Sequence, residues 1–175
     1  MAADVLIAYA SKRGSTEQVA RGIGEVLRGQ GFSTKVETAA ECRDLEGFRA
    51  VVLGGSIYFG HWHHDARTFL RRHRTALESV PLAVFALGPG KDTEEDFASS
   101  RRQLDQALGH VTGIEPRAIA VFGGAVDPEK LRFPFSHMPK TDIRDWDRIH
   151  SWALALPAEL DLAVAEEHSK ELVPA

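Results

Sequence analysis

Residues 4–27, DVLIAYASKRGSTEQVARGIGEVL, decide the fold that the sequence predicts. An apolar run over residues 5–10 ends abruptly in the small polar loop SKRGST, residues 11–16. After the loop, apolar residues recur at the spacing of one helical face. The stretch therefore predicts a buried strand, a polar loop and an amphipathic helix, whose inward residues are Val19, Ala20, Ile23, Val26 and Leu27.

The polar loop has the composition of a phosphate-binding site. It holds three hydroxyls, one Gly, one Lys and one Arg. The first free N–H groups of the following helix point toward the loop, and the helix dipole favours an anion there. Neither G-x-G-x-x-G nor G-x-x-x-x-G-K-S/T is present, which leaves a monophosphate, and the most familiar cofactor with a monophosphate is FMN. The residues are equally consistent with a capped strand-to-helix turn that binds nothing.

The composition is that of one soluble globular domain, which we predict over residues 1–165, followed by a charged tail at residues 166–175. Apolar residues make up 43% and charged residues 26% of the chain, and the net charge of −4 argues against a nucleic-acid partner. The single cysteine, Cys42, indicates a reducing compartment, so we predict a cytoplasmic protein. No apolar run could cross a bilayer, so any membrane association is expected to be peripheral. The sequence leaves the oligomeric state open.

Four further runs predict strands, at residues 32–37, 50–53, 82–87 and 117–122. Helical patterns separate most of them, so the strands are parallel and helices cover both faces of the sheet. Right-handed crossovers leave few strand orders, and 2-1-3-4-5 is the doubly wound order for this count. The predicted fold is a three-layer α/β/α sandwich around a five-stranded parallel sheet.

Short signals predict where some of these elements begin and end. The glycine pair after residue 53 is expected to end the third strand, and Asp65 is expected to cap the helix that follows. Thr141 or Asp142 is expected to cap the last helix, and Pro157 to kink or restart it.

Three loops of unusual composition converge at the carboxyl edge of the sheet, where the strand order reverses. The first is the polar loop. The second, SIYFGHWHH at residues 56–64, places three aromatic rings and three histidines after a buried strand. Exposed aromatic rings are costly unless something flat packs on them. The third, GPGKDTEED at residues 88–96, has glycines that let a ligand approach the backbone.

The chain resembles a flavodoxin-domain protein from its first strand to its last helix. Ser11-x-x-Gly14-x-Thr16 resembles the loop that holds the FMN phosphate in that family. GGSIYFGHWH at residues 54–63 and TDIRDWD at residues 141–147 are similar to the flavodoxin-like menaquinone-dependent protoporphyrinogen oxidases. Those oxidases carry a long basic, aromatic-rich insertion that the family associates with the membrane and its quinone. The corresponding segment is short here.

The resemblance implies an FMN site built from the three loops. The phosphate would lie in the first loop, and Tyr58 or Phe59 would stack on the isoalloxazine ring, unless these rings serve only as core packing. Gly60 would let a peptide turn toward the flavin N5 atom. The implied cofactor-binding residues are Ser11, Lys12, Arg13, Gly14, Ser15, Thr16, Ser56, Ile57, Tyr58, Phe59, Gly60, Gly88, Pro89, Gly90 and Asp92.

Histidines in the second loop are candidates for catalysis. We expect His61 and His63 to donate a proton to reduced flavin or to substrate, because histidine titrates near neutral pH. Solvated histidines at the rim of a cleft are the simpler interpretation. The run His61-x-His63-His64-Asp65 also suggests a metal site, but no further ligand set accompanies it, and we expect no metal.

The function expected from these residues is that of an FMN-dependent oxidoreductase, which passes electrons between a donor and a quinone-like or porphyrinogen-like partner. The third loop lacks an aromatic ring, so one face of the flavin would be open to a small-molecule acceptor. The first alternative is a flavodoxin-type electron carrier that docks with a redox partner protein. The second is a flavodoxin-like binding module without a cofactor.

Overall fold

The computed structural model describes residues 3–164, so the predicted charged tail at residues 166–175 lies outside it. Within that range the chain forms eight strands and five α-helices. The strands are β1 (Val5–Ala10), β2 (Thr34–Thr38), β3 (Ala50–Tyr58), β4 (His61–Trp62), β5 (Leu82–Leu87), β6 (Ala118–Phe122), β7 (Ala125–Val126) and β8 (Thr141–Asp142). The helices are α1 (Ser15–Gly29), α2 (His64–Arg72), α3 (Arg74–Leu77), α4 (Glu94–Gly109) and α5 (Trp146–Glu159).

Five of the strands form a parallel sheet in the order β2-β1-β3-β5-β6. This confirms the predicted order 2-1-3-4-5, counted over the parallel strands alone. The short β4 pairs antiparallel with the end of β3 and forms a hairpin that was not predicted. β7 and β8 pair with each other in a separate two-stranded ribbon.

β1 shows how both faces of the sheet are covered. Leu6 and Ala8 point into a core shared with α2, α3 and α4. Val5 and Ile7 point into a core shared with α1 and α5. Successive residues of a strand face opposite sides, so a continuous apolar run is buried on both faces of a parallel sheet. The three-layer α/β/α sandwich is therefore confirmed.

The glycine pair Gly54-Gly55 does not end β3, as had been expected, but lies inside it, and the strand continues to Tyr58. A Cβ added to Gly54 would collide with the ring of Phe85, and one added to Gly55 would lie 2.8 Å from the indole nitrogen of Trp62. Only glycine leaves room for these rings, so the pair serves packing and is not a stop signal.

Two helix caps differ from the expected ones. α2 is capped by His63, and Asp65 lies in its first turn, where its N–H donates to the His63 ring. α5 is capped by Asp145, because the predicted caps Thr141–Asp142 belong to β8. α5 also runs through Pro157 and ends shortly after it. Several short polar residues near a helix start are suitable caps, and packing selects one of them.

His73 is a buried titratable residue at the junction of α2 and α3. Its ring packs on Phe69, with the ring centroids 4.5 Å apart. Burial lowers the pKa of His73, and a hydrogen bond to the backbone carbonyl of Cys42 offsets this in part. Within residues 3–164, the ring atom Nε2 has no hydrogen-bond partner. The fold therefore favours the neutral form of this imidazole.

We expect the free energy of unfolding to fall as the pH drops below about 6.5, the pKa of an unfolded-state histidine, because the unfolded chain then binds more protons than the folded one. His73→Gln keeps a donor for the Cys42 carbonyl but does not titrate, so the fall between about pH 7 and pH 5 should be smaller. Urea denaturation across this range measures it. The exposed His110→Gln is the control, and an equal effect of both substitutions would contradict this role of His73.

Candidate functional site

The register of the strands brings the three predicted loops together. Ala10 of β1 lies opposite Gly55 of β3, and Ser56 of β3 lies opposite Leu87 of β5. The segments that follow therefore leave the sheet side by side. A cleft with an enclosed volume of about 90 Å³ opens between them. It is lined by Ser11, Lys12, Arg13, Ser15, Ser56, Ile57, Tyr58, Leu87, Gly88, Gly90, Gly124, Ala125 and Val126.

The polar loop ends at the N-terminus of α1, where Gly14 is the N-cap residue in a left-handed conformation with φ of 88°. No side chain in the described part of the chain caps this helix by a hydrogen bond. The space around Gly14 is open, since an added Cβ would have no neighbour within 4 Å. The first N–H groups of α1 are therefore left for an external acceptor.

Two hydroxyls frame this helix terminus. Ser11 Oγ accepts the backbone N–H of Gly14 at 2.9 Å, so this hydroxyl lies at the N-terminus of α1. Thr16 is buried, and its Oγ1 has no hydrogen-bond partner among the described residues. A buried hydroxyl without a partner costs about 1–3 kcal/mol of stability. A ligand oxygen is one partner that would remove this cost.

Tyr58 connects the first loop to the second. Arg13 donates a hydrogen bond to Tyr58 Oη at 2.8 Å. Lys12 Nζ lies 5.3 Å from the centroid of the same ring. Two cations thus lie against one aromatic ring, an arrangement that its negative faces stabilise. The contacts hold positive charge at the cleft, where it attracts an anionic ligand.

The second predicted loop is a β-hairpin, because Tyr58 at the end of β3 pairs with His61 of β4. Its two-residue turn consists of Phe59 and Gly60, which both have positive φ, at 47° and 78°. Such angles belong to a type I′ turn, and they are strained for a bulky residue. Phe59 is nevertheless 76% exposed. Its ring lies edge-on to the ring of Tyr58, with the two ring centroids 4.7 Å apart. A bulky residue with a strained backbone beside a cleft is a candidate part of a functional surface.

Glycines join the third loop to the end of β6. The N–H of Gly88 donates to the carbonyl of Phe122 at 2.9 Å. The N–H of Gly124 donates to the carbonyl of Pro89 at 2.9 Å. A Cβ added to Gly124 would lie 2.8 Å from the Gly88 carbonyl oxygen. Glycine is therefore needed where the two backbones touch, and this side of the cleft is held by backbone contacts.

The sheet and its loops match a known family. A family model described as a flavodoxin domain matches residues 6–140. The chain belongs to the flavodoxin domain family.

Three similar proteins share between 10% and 25% of their aligned residues with this flavodoxin-domain chain. Protoporphyrinogen IX dehydrogenase (quinone) of Escherichia coli K12 is 25% identical in an alignment that covers 85% of this chain and 91% of the relative. Flavodoxin 1 of Bacillus cereus superposes with a TM-score of 0.56 at 17% identity, over 90% of this chain and 96% of that one. A flavodoxin from the domain Archaea superposes with a TM-score of 0.58 at 10% identity, over 90% and 98% of the two chains. The two superpositions show a shared fold.

The flavodoxin fold brings most of the predicted cofactor-binding residues to one place. Nine of them line the cleft, from all three loops. The others lie around it, at the helix terminus, at the hairpin tip and along the third loop: Gly14, Thr16, Phe59, Gly60, Pro89 and Asp92. The role of these residues in binding a cofactor stays a prediction.

The two predicted catalytic histidines lie in different environments. His61 is exposed on β4, opposite Tyr58. The side chain of His63 is 9% exposed, and its Nδ1 accepts the N–H of Asp65 in the cap of α2. Burial lowers the pKa of His63 and therefore favours the neutral form of its ring. A catalytic role stays a prediction for both residues, and His61 is better placed to exchange protons with solvent.

Trp62 corrects the expectation that the second loop exposes three aromatic rings. It is only 1% exposed, and its Nε1 donates to the Gly55 carbonyl at 3.0 Å. Successive residues of a strand alternate between faces, so β4 turns Trp62 inward and His61 outward. Part of the GGSIYFGHWH stretch is therefore core and only part of it borders the cleft.

Four residues that line the cleft were not predicted, namely Leu87, Gly124, Ala125 and Val126. Gly124 belongs to a glycine pair after β6, a signal like the one that marked the third loop. Ala125–Val126 form β7 and pair with Thr141–Asp142. This pairing joins segments that are distant in the chain, so neither spacing nor composition indicates it.

Other features of the surface carry less chemistry. A wider depression of about 740 Å³ lies between α1 and α5, but its exposed lining is mainly apolar and it includes none of the three loops. In residues 3–164, no group of three or more His, Cys, Asp or Glu side chains could hold a metal ion. None of the described helices combines the length and the apolar composition that a membrane crossing needs.

We expect Thr16→Val to raise the free energy of unfolding of the flavin-free protein by about 1 kcal/mol, because valine has the same shape without the unpaired hydroxyl. Thr16→Ser is the matched control, since it keeps the hydroxyl and loses a buried methyl group, and it should lower stability. Urea denaturation of the flavin-free protein measures both. Destabilisation by valine would show that the hydroxyl has a partner in the folded chain.

Proposed function

We propose that this flavodoxin-domain protein is an FMN-dependent oxidoreductase that passes electrons between a donor and a quinone-like or porphyrinogen-like partner. The observation that supports it most is the uncapped N-terminus of α1 at the edge of the cleft, with the unpaired hydroxyl of Thr16 beside it. A helix terminus of this kind binds a phosphate group. The resemblance of this loop to the FMN phosphate loop of the family supports the same ligand.

The residues of the first loop fit the phosphate end of FMN. Backbone N–H groups at the start of α1 would bind phosphate oxygens, together with the hydroxyls of Ser11 and Thr16. Lys12 and Arg13 would add positive charge, since both lie against the ring of Tyr58 at the cleft. This set of donors suits a group with two negative charges and several acceptor oxygens.

The other two loops fit the ring end of FMN. Ser56 and Tyr58 line one side of the cleft, and Gly88 and Gly90 line the other. The enclosed volume of about 90 Å³ is below the roughly 300 Å³ of the smallest usual ligand pockets, so a bound ring would stay partly exposed. An exposed ring face allows a second small molecule to approach it, which suits an oxidoreductase.

Bound FMN would supply the reversible uptake and release of electrons. The chain would hold the cofactor, exclude water from one side of its ring and exchange protons near it. His61 lies opposite Tyr58 on the hairpin, so the two side chains share one face. In the net reaction the donor loses two electrons and two protons, and a quinone gains both and becomes a hydroquinone.

The Escherichia coli relative supports the quinone and porphyrinogen part of the proposal. Its name gives protoporphyrinogen IX and a quinone as its reaction partners. The stretch that resembles the oxidase branch, GGSIYFGHWH, forms the end of β3 and the hairpin beside the cleft. The resemblance is therefore located where a donor or acceptor would meet the flavin ring.

The absorption spectrum of the purified protein, followed by titration of the flavin-free protein with FMN, tests the cofactor. We expect a yellow complex with one FMN per chain. Thr16→Val should weaken FMN binding about tenfold, because a hydrogen bond to a charged group contributes about 1.5–3 kcal/mol, whereas Thr16→Ser should retain most of the affinity. A protein that is colourless after incubation with FMN and removal of the unbound flavin would overturn the proposal and favour a binding module.

Turnover distinguishes an enzyme from an electron carrier. The FMN-loaded protein is mixed with protoporphyrinogen IX and menadione, a soluble naphthoquinone, and porphyrin fluorescence is followed. We expect fluorescence to appear faster with protein and quinone together than with either alone. Reduction of the bound FMN by a flavodoxin reductase, without turnover of either small molecule, would contradict the proposal and favour a carrier.

His61→Asn should slow electron transfer to menadione about tenfold, because an exposed histidine beside the cleft can deliver protons. His63→Asn should have a smaller effect, since asparagine also caps a helix and burial favours the neutral form of the His63 ring. Stopped-flow reoxidation of the reduced protein between about pH 6 and pH 8 measures both variants. A larger effect of His63→Asn would reverse the assignment.

A further inference from the structure

Arg144 is a charged side chain in a largely buried position between β8 and α5, with 10% of its side chain exposed. Its Nε and Nη2 donate to the two carboxylate oxygens of Asp142 at 2.9 and 2.6 Å. Its backbone N–H donates to the same carboxylate at 3.1 Å. This paired contact fixes the plane of the guanidinium and holds the pKa of Asp142 below its ordinary value.

The remaining nitrogen of this guanidinium reaches the first turn of α1. Nη1 donates to Gln18 Oε1 at 2.6 Å and to the carbonyl oxygen of Ser15 at 3.4 Å. The guanidinium lies over the ring of Trp146, 5.3 Å from its centroid. That ring packs on Gly22 of α1, where an added Cβ would lie 2.9 Å from it. Arg144 and its neighbours are therefore packed against the helix whose N-terminus faces the cleft.

Asp142 connects the same guanidinium to the opposite side of the cleft. Asp142 lies on β8, which pairs with β7, and both residues of β7 line the cleft. The N–H of Ile143 donates to the carbonyl of Gly124, another lining residue, at 3.1 Å. Arg144 thus bridges two walls of the cleft, the N-terminus of α1 and the β7–β8 ribbon.

The charge of Arg144 is compensated by its ion pair with Asp142, so the guanidinium acts on α1 through the hydrogen bonds of Nη1. These bonds fix the position of the first turn of α1 relative to the β7–β8 ribbon, and with it the direction of the free N–H groups at the N-terminus. The placement of Arg144 therefore bears on the binding of an anion such as a phosphate at this terminus.

We propose that Arg144 is a positioning residue that makes the site selective for a phosphorylated flavin, by holding the first turn of α1 against the β7–β8 ribbon. This inference rests on the proposed function, since it takes FMN as the ligand. On the side of the cleft assigned to the flavin ring, Gly124 is joined to the ribbon through Ile143, but Gly88 and Gly124 also donate to the carbonyls of Phe122 and Pro89, and these bonds do not involve Arg144. Loss of Arg144 should therefore affect the phosphate more than the ring.

Binding of FMN and of riboflavin, which lacks the phosphate, to the flavin-free protein measures this selectivity. The unaltered protein should bind FMN more tightly than riboflavin. Arg144→Gln should weaken FMN binding about tenfold and riboflavin binding less than about threefold. Arg144→Lys should resemble Arg144→Gln, because lysine keeps the charge but cannot make the paired hydrogen bonds. Full rescue by lysine would show that charge alone matters and would overturn the inference.

Two further variants complete the test. Arg148→Gln is the matched control, because Arg148 lies in the same segment but contacts the ring of Phe97 on α4, 5.7 Å from its centroid, and it should leave the selectivity unchanged. Gln18→Ala removes the acceptor for Arg144 on the surface of α1 and should reduce the selectivity in the same direction. If Arg144→Gln does not fold, Gln18→Ala still tests the inference, because it removes the same hydrogen bond from the other side.

Equal weakening of FMN and riboflavin binding by these substitutions would indicate a merely structural role and would overturn the inference. Unchanged selectivity in Arg144→Gln and Gln18→Ala would also overturn it, while the proposed function would stand. If the unaltered protein does not bind FMN, the proposed function and this inference fail together.

Discussion

The register of the hydrogen bonds between β1, β3 and β5 is the constraint on which the candidate site depends. Ala10 at the end of β1 lies opposite Gly55, and Leu87 at the end of β5 lies opposite Ser56, so β1 and β5 end at nearly the same level while β3 between them continues to Tyr58. The polar loop, the hairpin and the glycine-rich loop leave the sheet there side by side. A slip of one residue would turn a whole strand over and exchange the side chains that pack in the two cores on opposite faces of the sheet. The apolar burial that stabilises the sheet therefore also keeps the three loops together.

The two sides of the cleft are stabilised in different ways. The side formed by the third loop is joined to the end of β6 by backbone hydrogen bonds of Gly88 and Gly124. The side at the N-terminus of α1 keeps polar groups without partners among the described residues, above all the hydroxyl of Thr16. Such groups lower the free energy of unfolding of the ligand-free protein, and a bound ligand that accepts their hydrogen bonds restores it. Stability and binding capacity are thus opposed at this terminus, as is common at functional sites.

The hairpin after β3 shows that local sequence patterns do not predict the burial and orientation of each side chain. Tyr58, His61 and Trp62 occur in one short polar and aromatic stretch, yet Tyr58 lines the cleft, His61 is exposed and Trp62 is buried. The antiparallel pairing of β4 with β3 puts Tyr58 and His61 on one face and Trp62 on the other, because successive residues of a strand face opposite sides. His63 lies beyond β4, where its ring takes part in the cap of α2. Composition indicates that such a stretch is unusual, but only the pairing assigns each residue its place.

The sequence by itself determined the layered fold, the order of the parallel strands and the loops that meet at the cleft. These features follow from local periodicity and from the small number of allowed crossovers, both of which can be read along the chain. Only the tertiary structure decided that Asp145 caps α5, that β7 pairs with β8, and that Arg144 reaches α1. Each of these depends on which distant groups packing brings within hydrogen-bond distance. Neither the sequence of residues 15–18 nor that of residues 141–146 indicates that the two segments are in contact in the folded chain.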